Sequence, residues 1–254
     1  MTHTTTDVMI GKSQPIREMF DMVDRVASSD ANILIQGESG VGKELVAQAI
    51  HRKSPRFSAP FVVIDCTALQ ETLLESELFG HERGAYTSAT NLKYGLFEVA
   101  HSGVVLLDEI GELCPTIQAK LLRVLETGTF RRVGGTRDIH VDVRILAATN
   151  RNLDQLVGEG TFREDLFYRL NVVSIQVPPL RSRTQDIPHL VCYFIAQVAQ
   201  KPVQGVSDEA MDLLMRYGWP GNVRELRNVI ERAALLCQSN RILPEDLPAE
   251  LRNG

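Results

Sequence analysis

Ile33-Leu34-Ile35-Gln36 runs straight into Gly37-Glu38-Ser39-Gly40-Val41-Gly42-Lys43-Glu44-Leu45, and a helical pattern opens at Lys43. A β-branched run, a glycine-rich turn and an immediate helix, in that order, constrain this stretch to a strand–loop–helix unit. Glycines let backbone N–H groups curl around an anion, and the helix start adds a favourable dipole. Lys43 then places a point charge at the β- and γ-phosphates of a nucleotide, so ATP or GTP is the implied ligand. A glycine-rich turn with no nucleotide is the plainer alternative. Glu44 stands where most such loops carry Ser or Thr to hold Mg²⁺. Magnesium would then lean on a second carboxylate and on water.

That carboxylate comes 65 residues after Lys43, where Val104-Val105-Leu106-Leu107 ends in Asp108-Glu109. A buried strand ending in two acids suits Asp108 as the magnesium-organising group. Glu109 suits the group that orients and polarises an attacking water. Surface acidic pairs seldom cap such an apolar run. A third strand ends Thr149-Asn150, polar residues able to meet the γ-phosphate or the lytic water, or to form an ordinary strand end.

The wider pattern agrees. Strands are expected at Ile33–Gln36, Phe61–Asp65, Val104–Asp108, Arg144–Thr149 and Val172–Val177. Helical stretches at Lys43–Lys53, Thr116–Thr127 and Leu153–Val157 lie between them. Short continuous apolar strands separated by helices imply an α/β unit with a parallel sheet covered on both faces. Pro178-Pro179 ends that pattern. Beyond it three helices and no strands are expected, at Asp186–Gln200, Ser207–Tyr217 and Asn222–Gln238, with Ser207 as an N-cap. The division is thus 8–177, an α/β subdomain; 178–238, a small helical one; and 239–254, a linker with two prolines and several charges.

Composition removes other classes. A net charge of −5 over 254 residues argues against gripping DNA by electrostatics alone. No apolar run could span a bilayer or serve as a signal peptide, so a cytoplasmic protein with no membrane role is expected. Cys66, Cys114, Cys192 and Cys237 lie tens of residues apart, and unpaired thiols are the expectation.

Ser76-Glu77-Leu78-Phe79-Gly80-His81-Glu82, leading into Gly84-Ala85-Tyr86-Thr87-Ser88-Ala89, resembles the surface-loop signature of bacterial enhancer-binding proteins, the AAA+ activators of sigma-54 RNA polymerase. The likeness runs from Ile10-Gly11 to Glu231-Arg232. It includes Gly160-Thr161-Phe162-Arg163-Glu164-Asp165-Leu166-Phe167-Tyr168-Arg169-Leu170 and Trp219-Pro220-Gly221-Asn222-Val223-Arg224-Glu225-Leu226. The resemblance implies an AAA+ parallel sheet between helices, followed by a helical lid. It implies ATP and Mg²⁺ as cofactors, a homo-oligomeric ring, a hexamer, and the sigma-54 holoenzyme as partner. Arg163 and Arg169 would be arginine fingers given to a neighbouring subunit's ATP, Arg224 the second sensor in the lid, and Ile10-Gly11 the adenine contact. Residues 84–89 would form the sigma-factor contact loop. A receiver domain before Ile10 and a helix-turn-helix after Arg241 are not expected in this chain, so DNA contact would come through a domain outside it.

Two departures from the family pattern bear on function. The contact loop usually reads Gly-Ala-Phe-Thr-Gly-Ala, and here Tyr86 adds a hydroxyl and Ser88 replaces glycine. Asp65 stands where the family has Asn, an acceptor-only group beside the acids when ionised. The leading expectation is an ATP-hydrolysing remodeller of sigma-54 polymerase. The runner-up is a nucleotide-binding regulator that assembles on DNA without productive sigma-54 contact, and a general unfoldase fits poorly.

Overall fold

The computed structural model describes residues 9–68, 70–86, 89–198 and 203–253. They form two compact units, each built from more than one stretch of chain.

In the larger unit and the segments leading into it, the elements run α1 (Gln14–Ala27), β1 (Ile33–Gln36), α2 (Lys43–Arg52), β2 (Phe61–Asp65), α3 (Glu71–Phe79), β3 (Gly80–His81), β4 (Lys93–Tyr94) and α4 (Leu96–Val99). Next come β5 (Val104–Asp108), α5 (Pro115–Thr127), β6 (Thr129–Phe130), β7 (Ile139–His140), β8 (Arg144–Thr149), α6 (Leu153–Gly158), α7 (Glu164–Leu170) and β9 (Val173–Gln176). Five strands, in the order β2-β5-β8-β1-β9, form one parallel sheet. The five strands expected from sequence are these five, the last one shorter by a residue at each end. Parallel pairing brings the strand ends to one edge: Asp65 lies opposite Asp108, Leu107 opposite Ala147, and Gln36 opposite Thr149. In open parallel sheets that carboxyl edge is where ligands bind.

Both faces of the central strands are buried, as the unbroken apolar runs require. On one face Val105, Leu107, Ile145 and Ala147 join Leu78, Phe79, Phe97, Leu121, Phe130 and Leu166 in a single core. Phe79, Phe97 and Phe130 meet pairwise with ring centroids 5.6–6.1 Å apart, stacked or tilted rather than face to face. α5 is delimited by Pro115 in its first turn and Gly128 in left-handed conformation at its end.

The smaller unit gathers residues 9–21, 37–45 and 177–253. Its further elements are α8 (Ile187–Gln197), β10 (Gly205–Val206), α9 (Asp208–Arg216), α10 (Asn222–Leu236), β11 (Arg241–Ile242) and α11 (Ala249–Asn253). The three expected helices are α8, α9 and α10, and the Ser207 side chain caps α9 by accepting from the Ala210 N–H at 3.2 Å. Residues 199 and 200, placed in the first of them by sequence, lie outside the described residues. Trp219 is fully buried in the helical core, and its indole N–H donates to the Leu214 carbonyl at 2.8 Å.

Two expectations are corrected here. The helical region is not free of strands: β10 pairs in parallel with β11, Val206 opposite Ile242. The segment from 239 is not a bare linker, because Ile242, Leu247 and Leu251 are buried in the same core as Trp219. Its prolines and charges masked a sparse apolar spacing; Pro244 opens a short turn whose Asp246 side chain accepts the Leu243 N–H at 2.8 Å.

Candidate nucleotide site and contact loop

The phosphate loop follows Gln36 directly. Gly40 and Gly42 take positive φ angles of 77° and 103°, a conformation nearly closed to side-chain-bearing residues. A Cβ on Gly40 would lie 2.4 Å from the Gly221 carbonyl oxygen, so the lid also demands glycine there. Lys43 opens α2 with Glu44 and Leu45 after it; its side chain is buried and bends back so that Nζ donates to the Gly37 carbonyl at 3.1 Å. A cation folded over a concave glycine loop at a helix start fits a polyphosphate.

Residues near the lid hold this loop. Arg181 grips the Glu38 carboxylate with two hydrogen bonds, 2.7 and 2.5 Å, and Asn222 Nδ2 donates to it at 3.0 Å. These bonds hold the Glu38 carboxyl down to about 2. Arg224, in the first turn of α10, donates from Nη1 to Ser39 Oγ at 3.0 Å and from its backbone N–H to the Gly40 carbonyl at 3.2 Å. Arg183 Nη2 donates to the Val41 carbonyl at 3.1 Å. The Ile10-Gly11 segment is fastened nearby: Lys12 N–H, Ser13 N–H and Ser13 Oγ all donate to the Asp186 carboxylate, at 2.6, 2.9 and 2.6 Å, and Ile10 packs on the helical core. Sequence reasoning marked Arg224 here but missed Asn222, Arg181 and Arg183. Asn222 lay in plain view after Gly221, where it takes a left-handed φ of 52°.

In the larger unit the acids sit together at the sheet's carboxyl edge. Asp108 ends β5, and its Oδ1 accepts the Glu109 N–H at 3.0 Å. Glu109 adopts a left-handed φ of 54°, uncommon for a residue with a side chain, and its Oε2 accepts the Asn150 N–H at 3.1 Å. Thr149 is fully buried and its hydroxyl oxygen accepts the Arg151 N–H at 3.0 Å. The Asp65 carboxylate turns to Thr67, accepting its N–H at 2.8 Å and its hydroxyl at 2.7 Å. Burial first, and then the charges of Asp108, Asp65 and Glu109, push the Cys66 thiol well above its usual range. Among the described residues no cluster of three or more His, Cys, Asp or Glu is arranged to hold a metal unaided. Asp108 at the end of β5 is a hard oxygen donor of the type magnesium takes alongside phosphate and water.

The two candidate fingers lie at the two ends of α7. Arg163 precedes it and pairs with Asp165 through two bonds, 3.0 and 2.7 Å, both side chains about half exposed. Its backbone N–H donates to the buried Gln118, whose own amide donates to the Leu113 and Thr161 carbonyls. Arg169, in the last turn, donates from Nε and Nη2 to the Leu125 carbonyl. Gln118, an unremarkable residue in sequence, thus ties the arginine-bearing segment to α5.

The contact loop closes on itself: Gly84 N–H donates to the Ala89 carbonyl at 2.8 Å, and Ala85 N–H to that of Glu82 at 3.1 Å. Thr87 and Ser88 lie outside the described residues. The Tyr86 hydroxyl, absent from the family's phenylalanine, comes 3.3 Å from His81 Nδ1 and 3.4 Å from Ser76 Oγ, which are themselves 2.7 Å apart. Arg132 anchors the loop's base, pairing with Glu98 at 2.6 Å and Glu82 at 3.0 Å and lying 4.9 Å over the Tyr94 ring.

Comparison with known proteins shows the family. Residues 9–176 match the model of the sigma-54 interaction domain, and residues 181–254 that of an AAA+ ATPase lid domain. The chain is 53% identical over 249 residues to the nitrogen fixation protein AnfA of Azotobacter vinelandii, covering 97% of this chain and 47% of that protein. It is 48% identical over 247 residues to the DNA-binding transcriptional regulator NtrC of Proteus hauseri, 96% of this chain and 52% of that one. Among solved structures, NtrX from Brucella abortus in complex with ATP superimposes with a TM-score of 0.89 at 42% identity, covering 96% of this chain and 55% of the other. NtrX has also been solved in complex with ADP. The chain spans about half the length of the curated relatives it matches. An α/β unit with a five-stranded parallel sheet, a helical lid and matches over nearly every residue make this chain a member of the NtrC-like sigma-54-dependent transcriptional activators.

Proposed function

We propose that this chain binds and hydrolyses ATP within a homo-oligomeric ring, a hexamer, and uses the energy to remodel the sigma-54 RNA polymerase holoenzyme and activate transcription. The observation that carries the reading is the phosphate loop, with Gly40 and Gly42 at positive φ and Lys43 folded over it. Lys43 would meet the β- and γ-phosphates, with residues Gly37 to Leu45 supplying the cradle and Ile10-Gly11 the adenine contact. Asp108 would organise Mg²⁺, which neutralises phosphate charge as it develops. Glu109 would orient the attacking water, Thr149 and Asn150 would report on the γ-phosphate, and Asp65 would modulate Glu109. Arg224 would sense the nucleotide from the lid, while Arg163 and Arg169 would complete a neighbour's site. DNA contact would come through a domain outside these residues, and the work would take place in the cytoplasm. No helix among the described residues is long and apolar enough to cross a membrane. The division at 177/178 between the α/β and lid segments is retained as a proposal.

A second reading, a nucleotide-dependent regulator that does not engage sigma-54, is favoured by one observation: the Tyr86 hydroxyl is drawn to Ser76 and His81 at the loop's base. Transcription from a sigma-54 promoter in vitro separates the two. ATP-dependent open-complex formation by the chain supports remodelling. Steady ATP hydrolysis with no open complex, restored by combining Tyr86→Phe with Ser88→Gly, would move the second reading ahead.

A further inference from the structure

Four consecutive loop residues are each bound by a lid residue: Glu38 by Arg181 and Asn222, Ser39 by Asn222 and Arg224, Gly40 by the Arg224 N–H, and Val41 by Arg183. Asn222 is the centre of this arrangement. It is fully buried, and its Oδ1 accepts the Leu180 N–H at 2.8 Å while Nδ2 donates to Glu38 Oε2 at 3.0 Å and to the Ser39 carbonyl at 3.1 Å. A residue serving only the lid would need just the first of these bonds. The other two reach the stretch whose backbone N–H groups must converge on phosphate. Only a carboxamide both accepts and donates twice from one buried position. Asp would keep the Leu180 bond, lose both donors and set a second carboxylate against Glu38. The Arg181–Glu38 pair is half exposed and contributes little stability by itself. What it adds is direction, because a two-pronged guanidinium fixes the plane of the carboxylate that Asn222 also holds.

We propose that Asn222, supported by Arg181, is a positioning residue for the phosphate loop: it holds Glu38 and Ser39 so that the loop is ready-shaped for a nucleoside di- or triphosphate, and thereby sets nucleotide affinity. The proposal rests on the nucleotide-binding reading above. Pre-shaping acts on ADP and ATP alike, because it bears on the cradle rather than on a transition state.

The test is calorimetric titration of the whole chain with ADP and with ATP in the presence of Mg²⁺, for the natural chain, Asn222→Asp, Arg181→Ala and the double variant Asn222→Asp/Glu38→Gln. Melting temperatures without nucleotide are measured alongside. Asn222→Asp is expected to weaken both nucleotides about tenfold, the loss of roughly one charge-assisted hydrogen bond. Arg181→Ala, at an exposed position, is expected to weaken them about threefold. The double variant is expected to recover part of the loss, since the amide introduced at position 38 can donate to the carboxylate introduced at position 222, while the two-pronged Arg181 pairing and the donor to the Ser39 carbonyl stay lost. Affinities equal to the natural chain's in both single variants, with only the melting temperature lowered, would overturn the proposal and leave Asn222 a structural residue. A double variant no better than Asn222→Asp would overturn the Glu38 contact as its basis. Failure of the natural chain to bind either nucleotide would instead overturn the nucleotide-binding reading, and the proposal with it.

Discussion

Arg144 begins β8 and is almost wholly buried, with its guanidinium committed to backbone. Nη2 and Nη1 donate to the Val26 and Ala27 carbonyls, at 2.8 and 2.9 Å, at the last turn of α1, and Nε donates to the Ala31 carbonyl at 3.2 Å. The side chain thus caps α1 at the negative end of its dipole. Burial pulls its pKa below the usual arginine value, against a smaller upward pull from Asp30. Two replacements separate charge from geometry. Lysine keeps a buried charge but offers one nitrogen, which cannot reach three acceptors spread over residues 26 to 31. Losing about two charge-assisted bonds at 1.5–3 kcal/mol each, with no relief from desolvation, costs about 3 kcal/mol or more. Methionine removes the charge as well as the bonds. The Val26 carbonyl still accepts Ser29 N–H at 3.2 Å and Ser29 Oγ at 3.0 Å, leaving the Ala27 and Ala31 carbonyls to lose their guanidinium bonds at about 1–3 kcal/mol each. Relief of the buried charge offsets part of that, for a net cost of about 2 kcal/mol. Arg144→Lys is therefore expected to be more damaging than Arg144→Met, against the usual ranking of conservative changes. Urea unfolding followed by far-ultraviolet circular dichroism measures both. A lysine variant as stable as the natural chain, or clearly more stable than the methionine variant, would refute the capping argument.

Glu38 gives a pH signature. Its carboxyl is held down from 4.5 to about 2, chiefly by Arg181, so its contribution is fully present above 4.5 and is lost as pH falls through about 2. The pair is half exposed, so the stability advantage over Glu38→Gln should be about 1 kcal/mol or less near neutrality and vanish toward pH 2; a gap constant across that window in stepped-pH urea titrations would contradict this. Asp65→Asn keeps the oxygen that accepts from Thr67 and removes a charge opposite Asp108. It is expected to raise stability by about 0.5 kcal/mol and to change ATPase rate or its stimulation by partner; unchanged unfolding midpoints with unchanged rates would sink the idea.

Much of the sheet was legible because its central strands are buried on both faces and therefore read as unbroken apolar runs. The phosphate loop was legible for a local reason: positive φ needs glycine, and a lysine after it has few other uses. What stayed hidden depends on distant partners. Arg144 looks like a charged strand start, and its role exists only because the last turn of α1 arrives beside it. Gln118 is a polar residue on a helix, where sequence gives no hint of burial. α1 was not marked from the sequence, although Ile16, Met19, Val23 and Val26 are buried on one stripe and Pro15 suits a first turn. The C-terminal segment was misread because three well-spaced apolar residues suffice to anchor a charged tail. Arg163 and Arg169 stood out among 27 basic residues only through the family resemblance, since their contacts within the chain, Asp165 and the Leu125 carbonyl, are ordinary surface ones.

The most direct test of ring-dependent hydrolysis is ATPase rate per subunit measured against protein concentration, with Arg163→Ala in parallel. If a neighbour's arginine completes each site, the rate climbs cooperatively with concentration and falls in the variant by about 10³-fold or more. A low rate that stays flat with concentration and is indifferent to Arg163 would contradict shared sites between subunits.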